Sequence, residues 1–507
     1  MKQIGGSFST TPKSLRGGFA TGSLLESLQV SGTAGRHLKR FSMALCLLLI
    51  HPGCKYSLGP GTGGGTPLPA PLAPPLIDRF TAHANQVPVG TRATFAMVVG
   101  GAAINAMVDH GIGAVSYGKP FQSGPITTDT TFTLTVSGSD GPTVQKSLTI
   151  QPVVTTGRFQ SLDTLALAGG YLQATSLQDG RVLVTGGSTD TGGGANPEAQ
   201  LIDRAAQTIQ TTGSMLSPRC WHTATLLANG QVLVAGGSST EWSTTGYRSA
   251  ELFDPSTGTF RATGDLTTAR WGPNLRAVGL TTGEVLLVGG NAESTAPSAE
   301  IYDPVVGTFH AVGAPSFRHE GFSLTLLGNG QVLLVGAEDA WASLPTPAEL
   351  FDPVLRAFTS SVRPLSFHSW HTATMLQDGS VLVAGGGQYL NNTEAVPSTA
   401  AEYFDPIART FRPTGSMIAT RKYHGATLLS DGRVLIAGGS SFVGPMELAE
   451  VYTPATGAFA LTGSLAVPRR NPVLVALPQG QALVLGGTAF TPLGIYLGPS
   501  FLIEGYQ

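Results

Sequence analysis

The sequence predicts an all-β chain, a seven-bladed β-propeller preceded by a small β-sandwich, and three observations carry that expectation. First, the stretch Trp221-His222-Thr223-Ala224-Thr225-Leu226 recurs as Trp370-His371-Thr372-Ala373-Thr374-Met375 and as Tyr423-His424-Gly425-Ala426-Thr427-Leu428. Second, each copy is followed by Asn229-Gly230, Asp378-Gly379 or Asp431-Gly432 and another short apolar run, which is the pattern of a tight β-hairpin. Third, the glycine pair closing that run returns at Gly186, Gly236, Gly289, Gly385, Gly438 and Gly486, with a Gly-Ala variant at Gly336, at intervals of 47 to 53 residues. A repeat of about 50 residues holds four short strands, and seven such repeats close into a ring.

Composition fits this class. Of 507 residues, 67 are Gly and 34 Pro, and only 12% are charged, as expected for many short strands joined by turns. A net charge of −2, with nothing basic enough to track a phosphate backbone and no aromatic-plus-Arg motif, gives no expectation of a nucleic-acid partner.

At the N-terminus, Arg36-His37-Leu38-Lys39-Arg40 precedes the apolar run Met43 to Ile50, which is too short to span a bilayer. The run ends in His51-Pro52-Gly53-Cys54, which resembles a bacterial lipoprotein signal. The resemblance implies lipidation at Cys54 and an outer-membrane, cell-surface or extracellular location, with membrane contact only through the lipid. His51 departs from the usual residue at its position. Residues 1–54 are read as extension and signal. The three cysteines are Cys46, Cys54 and Cys220, so the folded part holds one thiol and no Cys/His metal spacing.

Residues 55–75, rich in Gly and Pro, have no apolar periodicity and read as a tether. Residues 76–154 carry about six alternating runs, among them Leu76 to Ala82, Arg92 to Val99, Thr127 to Val136 and Val144 to Ile150. These runs resemble bacterial immunoglobulin-like surface modules, without the Cys-Trp-Cys core. Asp109 and His110 read as turn residues.

Residues 155–507 form the propeller. A second signature marks the third strand of each repeat: Ala250-Glu251-Leu252-Phe253-Asp254-Pro255, then the matching segments at Ala299, Ala348, Ala401 and Ala449. In the last repeat Ile495-Tyr496 is the expected third strand. Gly157 to Gln160 is expected to close the ring by pairing with the last blade, with Ser500 to Ile503 as the alternative closure.

Arg219, Arg270, Arg318, Arg421 and Arg469 share one repeat position, where His368 stands in the fifth copy, and Glu251, Glu300, Glu349, Glu402 and Glu450 share another. Charges made in nearly every repeat are read as a structural network, because a site is made once. His222, His371 and His424, also at one repeat position, are read as locally bonded.

The repeats, above all Arg421-Lys422-Tyr423-His424 followed by Leu428 to Val434, resemble the kelch repeats of galactose oxidase and its relatives. By that resemblance Tyr423 and His424 match copper ligands. The family's further residues are missing. Its crosslinking Cys is absent from Ala168-Gly169-Gly170-Tyr171, its second Tyr is replaced by Trp221, and its further His comes from a domain after the propeller, where this chain stops at Gln507. No copper or other cofactor is expected, Tyr423 and His424 are the weakest of metal candidates, and no catalytic residue is assigned. No hydrolase motif is found either.

The reading is a non-catalytic, monomeric binding scaffold at the cell surface, with a protein or glycan partner. The alternative is a degenerate galactose oxidase-like oxidase or another carbohydrate-active enzyme. Contacts are expected from the loops Ser188 to Asn196, Ser238 to Tyr247, Glu338 to Pro347 and Gln388 to Pro397. The candidate binding aromatics are Trp242, Trp341, Tyr389, Trp221, Trp370 and Tyr423.

Overall fold

A computed structural model describes residues 73–507 apart from 139–142, 167–168, 190–192, 291–297, 318–320, 337–343 and 391–393. Cys54, Arg318 and Trp341 lie outside the described residues, as does the side chain of Tyr389.

The first strands form two layers. One is a three-stranded sheet of Leu76–Ala82, Arg92–Gly100 and Phe121–Pro125. The other has five strands in the order Gln86–Pro88, Val144–Val153, Thr130–Ser137, Asn105–Val108 and Gly113–Ala114. Alternation in Thr130–Ser137 turns Phe132, Leu134 and Val136 inward, where they meet Phe95 and Met97 of the facing sheet in one core. Asp109 and His110 occupy a turn: the Asp109 carboxylate accepts the Thr133 amide at 2.8 Å, and His110 has φ 53°.

The rest of the chain is built from four-stranded antiparallel sheets, seven among the described residues. The first consists of Gln173–Ser176, Val182–Thr185, Ala199–Asp203 and Thr208–Thr211, in chain order. The second strand of every sheet is buried at all four positions, because neighbouring sheets cover both of its faces. That burial explains the unbroken apolar runs VLVT, VLVA, VLLV, VLIA and ALVL. The first strands of successive sheets pack side by side, and Val473–Ala476 of the last returns to Gln173–Ser176 of the first. The result is an all-β, propeller-like ring with no α-helix among the described residues.

Closure uses both ends of this region. The last sheet runs Val473–Ala476, Ala482–Leu485, Leu502–Tyr506, Phe159–Thr164, so the lead-in strand hides an edge that would otherwise be open. Two sequence expectations are corrected. Ile495-Tyr496 is not the third strand: both residues are exposed, and Tyr496–Pro499 pairs with Thr488–Phe490 in a separate small sheet. The third strand is Leu502–Tyr506, whose Ile503, Glu504 and Tyr506 are buried as that position demands, so of the segment Ser500 to Ile503 only Leu502 and Ile503 enter the last sheet, in its third strand and not its outer one. The stretch Gln388 to Pro397 is not an irregular loop either. Gly387–Leu390 pairs with Glu394–Pro397, an extra hairpin whose backbone groups satisfy one another.

Candidate functional site

Each sheet begins with a short lead-in segment that ends at the centre of the ring, and the repeated charges hold that segment in place. Arg219 is fully buried. It donates to Glu251 at 2.8 Å, to the carbonyls of Gly236 at 2.7 Å and Ser249 at 3.0 Å, and to the Ser249 hydroxyl at 2.8 Å. Glu251 in turn accepts the amides of Leu216 at 2.6 Å and Ser217 at 3.1 Å, which lie in the lead-in itself. The same pairing joins Arg270 to Glu300, Arg421 to Glu450 and, in the fifth sheet, His368 to Glu402. Glu349 likewise accepts the amides of Ser316 and Phe317. These charges are the structural network expected from their repetition. Sequence reasoning missed Glu504, the partner of Arg469, because its strand was misplaced.

The first sheet is the instructive exception. Gln200 holds the register position of the repeated Glu, and Gly169 holds that of the Arg, its carbonyl accepting the Gly487 amide as Arg219 accepts that of Gly187. A Cβ on Gly169 would lie 1.8 Å from the Ser500 carbonyl oxygen, so no side chain fits there. Cation and carboxylate are lost together, as the cost of one unpaired buried charge requires.

Two residues beyond the repeat position of the buried Arg, held by Gly169 in the first sheet and His368 in the fifth, the chain turns through the left-handed region. Tyr171 (φ 56°), Trp221 (58°), Trp370 (63°), Tyr423 (58°) and Asn471 (51°) all adopt it, although each carries a Cβ that disfavours it by about 1–2 kcal/mol. Backbone bonds link these turns from sheet to sheet. Trp221 donates to the Tyr171 carbonyl at 3.4 Å, Tyr423 to that of Trp370 at 3.1 Å, and Asn471 to that of Tyr423 at 2.8 Å. The aromatic side chains are thereby presented around one opening. Tyr171 and Trp221 stack with centroids 3.7 Å apart, and Trp370 and Tyr423 meet at 5.0 Å.

This opening is a cavity of about 680 Å³ whose walls also include Glu241, Trp242, Arg470, Thr488, Phe490 and Tyr496. Of the aromatics singled out from sequence, Trp221, Trp242, Trp370 and Tyr423 meet here; Trp242 is 78% exposed at the rim. Sequence reasoning missed Tyr171 as a wall, and with it Glu241, Arg470, Asn471, Thr488 and Phe490. Tyr171 was within reach, since it stands one residue past the Gly170 that aligns with Cys220. Burial and the nearby Glu241 carboxylate push the Tyr171 phenol well above its usual range.

Beneath the mouth the channel continues past His222, His371 and His424. Each bonds through Nε2 to a hydroxyl of the preceding sheet: Thr185 at 2.9 Å, Ser323 at 2.8 Å and Thr372 at 3.0 Å. Burial, reinforced by Arg219 and Arg421, pushes His222 and His424 down to about 3, so both are neutral. The Nε2 of His424 is thus taken up by the Thr372 hydroxyl. Among the described residues no three His, Cys, Asp or Glu side chains gather where they could hold a metal ion. The position opposite Tyr171 is an indole, which does not ligate. These residues do not fit a copper centre.

No family model and no curated protein matches this chain. A solved structure described as a novel fungal alcohol oxidase with catalytic diversity among the AA5 family, in complex with copper, matches over 70% of this chain and 76% of that one. The TM-score is 0.55 and the identity 16%. At that identity the likeness speaks for the architecture alone, and the architecture is that of a galactose oxidase-like, all-β propeller.

Proposed function

We propose that this chain is a non-catalytic binding scaffold of the cell surface or the extracellular space. In this reading a seven-bladed kelch-type propeller on an immunoglobulin-like spacer, tethered through a lipid on Cys54, presents its channel mouth to a glycan. The observation that carries it is the wall of aromatic rings held at left-handed turns around a 680 Å³ opening. Pyranose rings offer apolar C–H faces that lie flat on indole and phenol rings, and their hydroxyls suit the scattered polar groups Glu241, Asn471 and Thr488. Strain retained at several aromatic positions is expected where the turns place a binding surface. A protein partner would instead meet the rim through Trp242.

The test is titration of the full chain with neutral oligosaccharides, read by tryptophan fluorescence and calorimetry. Saturable binding that Trp221→Ala and Trp370→Ala each weaken about tenfold supports the reading, tenfold being about 1.4 kcal/mol. A panel of galactan, glucan and mannan oligomers without a single saturable response defeats it.

The oxidase alternative draws on the likeness to an alcohol oxidase and on Tyr423 in the mouth. It requires near-stoichiometric Cu²⁺ after reloading, lost in both Tyr423→Phe and His424→Ala. We expect no such copper by elemental analysis.

A further inference from the structure

We infer that the mouth selects glycans that carry a carboxylate, with Arg470 as the residue that reads it. This rests on the glycan-binding reading above and names the sugar class.

The wall of the mouth carries one carboxylate, Glu241, and one guanidinium, Arg470. Glu241 lies on the side of Tyr171, in the segment that follows the second sheet's Gly236-Gly237. Arg470 also lines the opening, with its guanidinium 5.3 Å from the centre of the Phe490 ring. No ion pair joins Arg470 to Glu241 or to any other carboxylate among the described residues. The Arg470 guanidinium is therefore not neutralised by any described carboxylate.

Arg470 is built to wait for a partner. Its backbone is fixed by pairing with Thr488, and one Nη2 hydrogen is spent on the Ser440 hydroxyl at 3.0 Å. The Phe490 ring holds the plane of the guanidinium by cation–π contact. Nη1 donates to no described residue, and Nε, like that of Arg421 and Arg469, has no acceptor. The fully buried Arg of the lead-in segments differ from it at Nη1 and Nη2. Arg219, Arg421 and Arg469 each spend Nη1 on two carbonyls and Nη2 on a carboxylate. A half-buried guanidinium with spare donors beside an aromatic wall is the arrangement that takes a carboxylate by charge-assisted hydrogen bonds. A sugar ring lying on the aromatics with a carboxylate at its C6, a hexuronate, offers both features in one residue.

The experiment compares trigalacturonate, its fully methyl-esterified form and galactotriose on the full chain, by calorimetry at two salt concentrations. The expected result is at least tenfold tighter binding of the free acid than of the ester, a gap that narrows as salt rises. Arg470→Gln should abolish the gap, bringing the free acid to the affinity of the ester. Arg470→Lys, which keeps the charge and loses the fork, should retain part of it and guards against misfolding of the Gln variant. Equal affinity for acid and ester, or a gap that survives Arg470→Gln, overturns the assignment of Arg470 while the glycan-binding reading stands. No binding of any of the three overturns both.

Discussion

The Tyr171 and Trp221 rings lie face to face, 3.7 Å apart and 22° from parallel, although they lead into two different sheets and each sits at a left-handed turn. Adjacent repeats thus share one aromatic plate at the mouth. A stacked pair contributes about 0.5–1.5 kcal/mol beyond its buried area.

The stack also shields the Tyr171 phenol, which burial and then Glu241 raise above the ordinary tyrosine range. Removing the indole by Trp221→Ala admits water and favours the phenolate, so the phenol should titrate lower. Spectrophotometric titration between pH 9 and 12 should show one more ionised tyrosine at pH 11 in Trp221→Ala than in the parent. Glu241→Gln should move it in the same direction. Superimposable titration curves would show that the stack does not shield the phenol.

Arg270 and Glu300 form a buried pair with side chains 1% and 0% exposed. Glu300→Leu alone should destabilise the protein by about 3–5 kcal/mol, because it strands a guanidinium in the core. Arg270→Met with Glu300→Leu should recover most of that loss. The first sheet already carries such a double replacement, Gly169 with Gln200. Denaturant unfolding of the two single variants and the double variant closes the cycle; additive losses would mean that the residues act independently.

The buried histidines make the fold acid-sensitive. His83, which bonds Ser441 at 2.7 Å, His222 and His424 are each pushed down to about 3, first by burial and then by a neighbouring arginine. Between the unfolded value near 6.5 and about 3, the unfolded chain binds a proton at each of these sites that the native chain does not. Stability is therefore full above pH 6.5 and falls as the pH drops, by about 1.4 kcal/mol per histidine per pH unit. Glu447, whose carboxyl burial raises, offsets part of this at the acid end. Melting temperatures from pH 7.5 to 4.5 should fall steadily, and His222→Gln should flatten the slope. A flat profile would mean that these rings protonate within the native state.

Much of the ring was legible because it is made of local signals repeated. The Asn-Gly and Asp-Gly turns, the Gly pairs and the Ala-Glu-x-aromatic-Asp-Pro strands each declare themselves within a few residues. The last sheet was misread because its third strand does not carry that signature. Leu502–Tyr506 was recognisable only by what it must bury, a carboxylate opposite Val484 for Arg469 and a tyrosine beside Phe159.

The mouth divides in the same way. Trp221, Trp370 and Tyr423 stood out because they share a repeat position, and the repeat told that they are equivalent. It could not tell where they point. Tyr171, whose repeat is degenerate, and Glu241, Arg470, Thr488 and Phe490, which occur once each, join them only when the ring closes. The sequence by itself determined the strands, the turns and the Arg–Glu pairs of the regular repeats, the last sheet's Leu502–Tyr506 and Glu504 excepted, since these depend on residues near in the chain or fixed by register. Tertiary structure alone decided that side chains 300 residues apart, Tyr171 and Asn471 among them, face one opening, because convergence is a property of the closed circle and not of any single repeat.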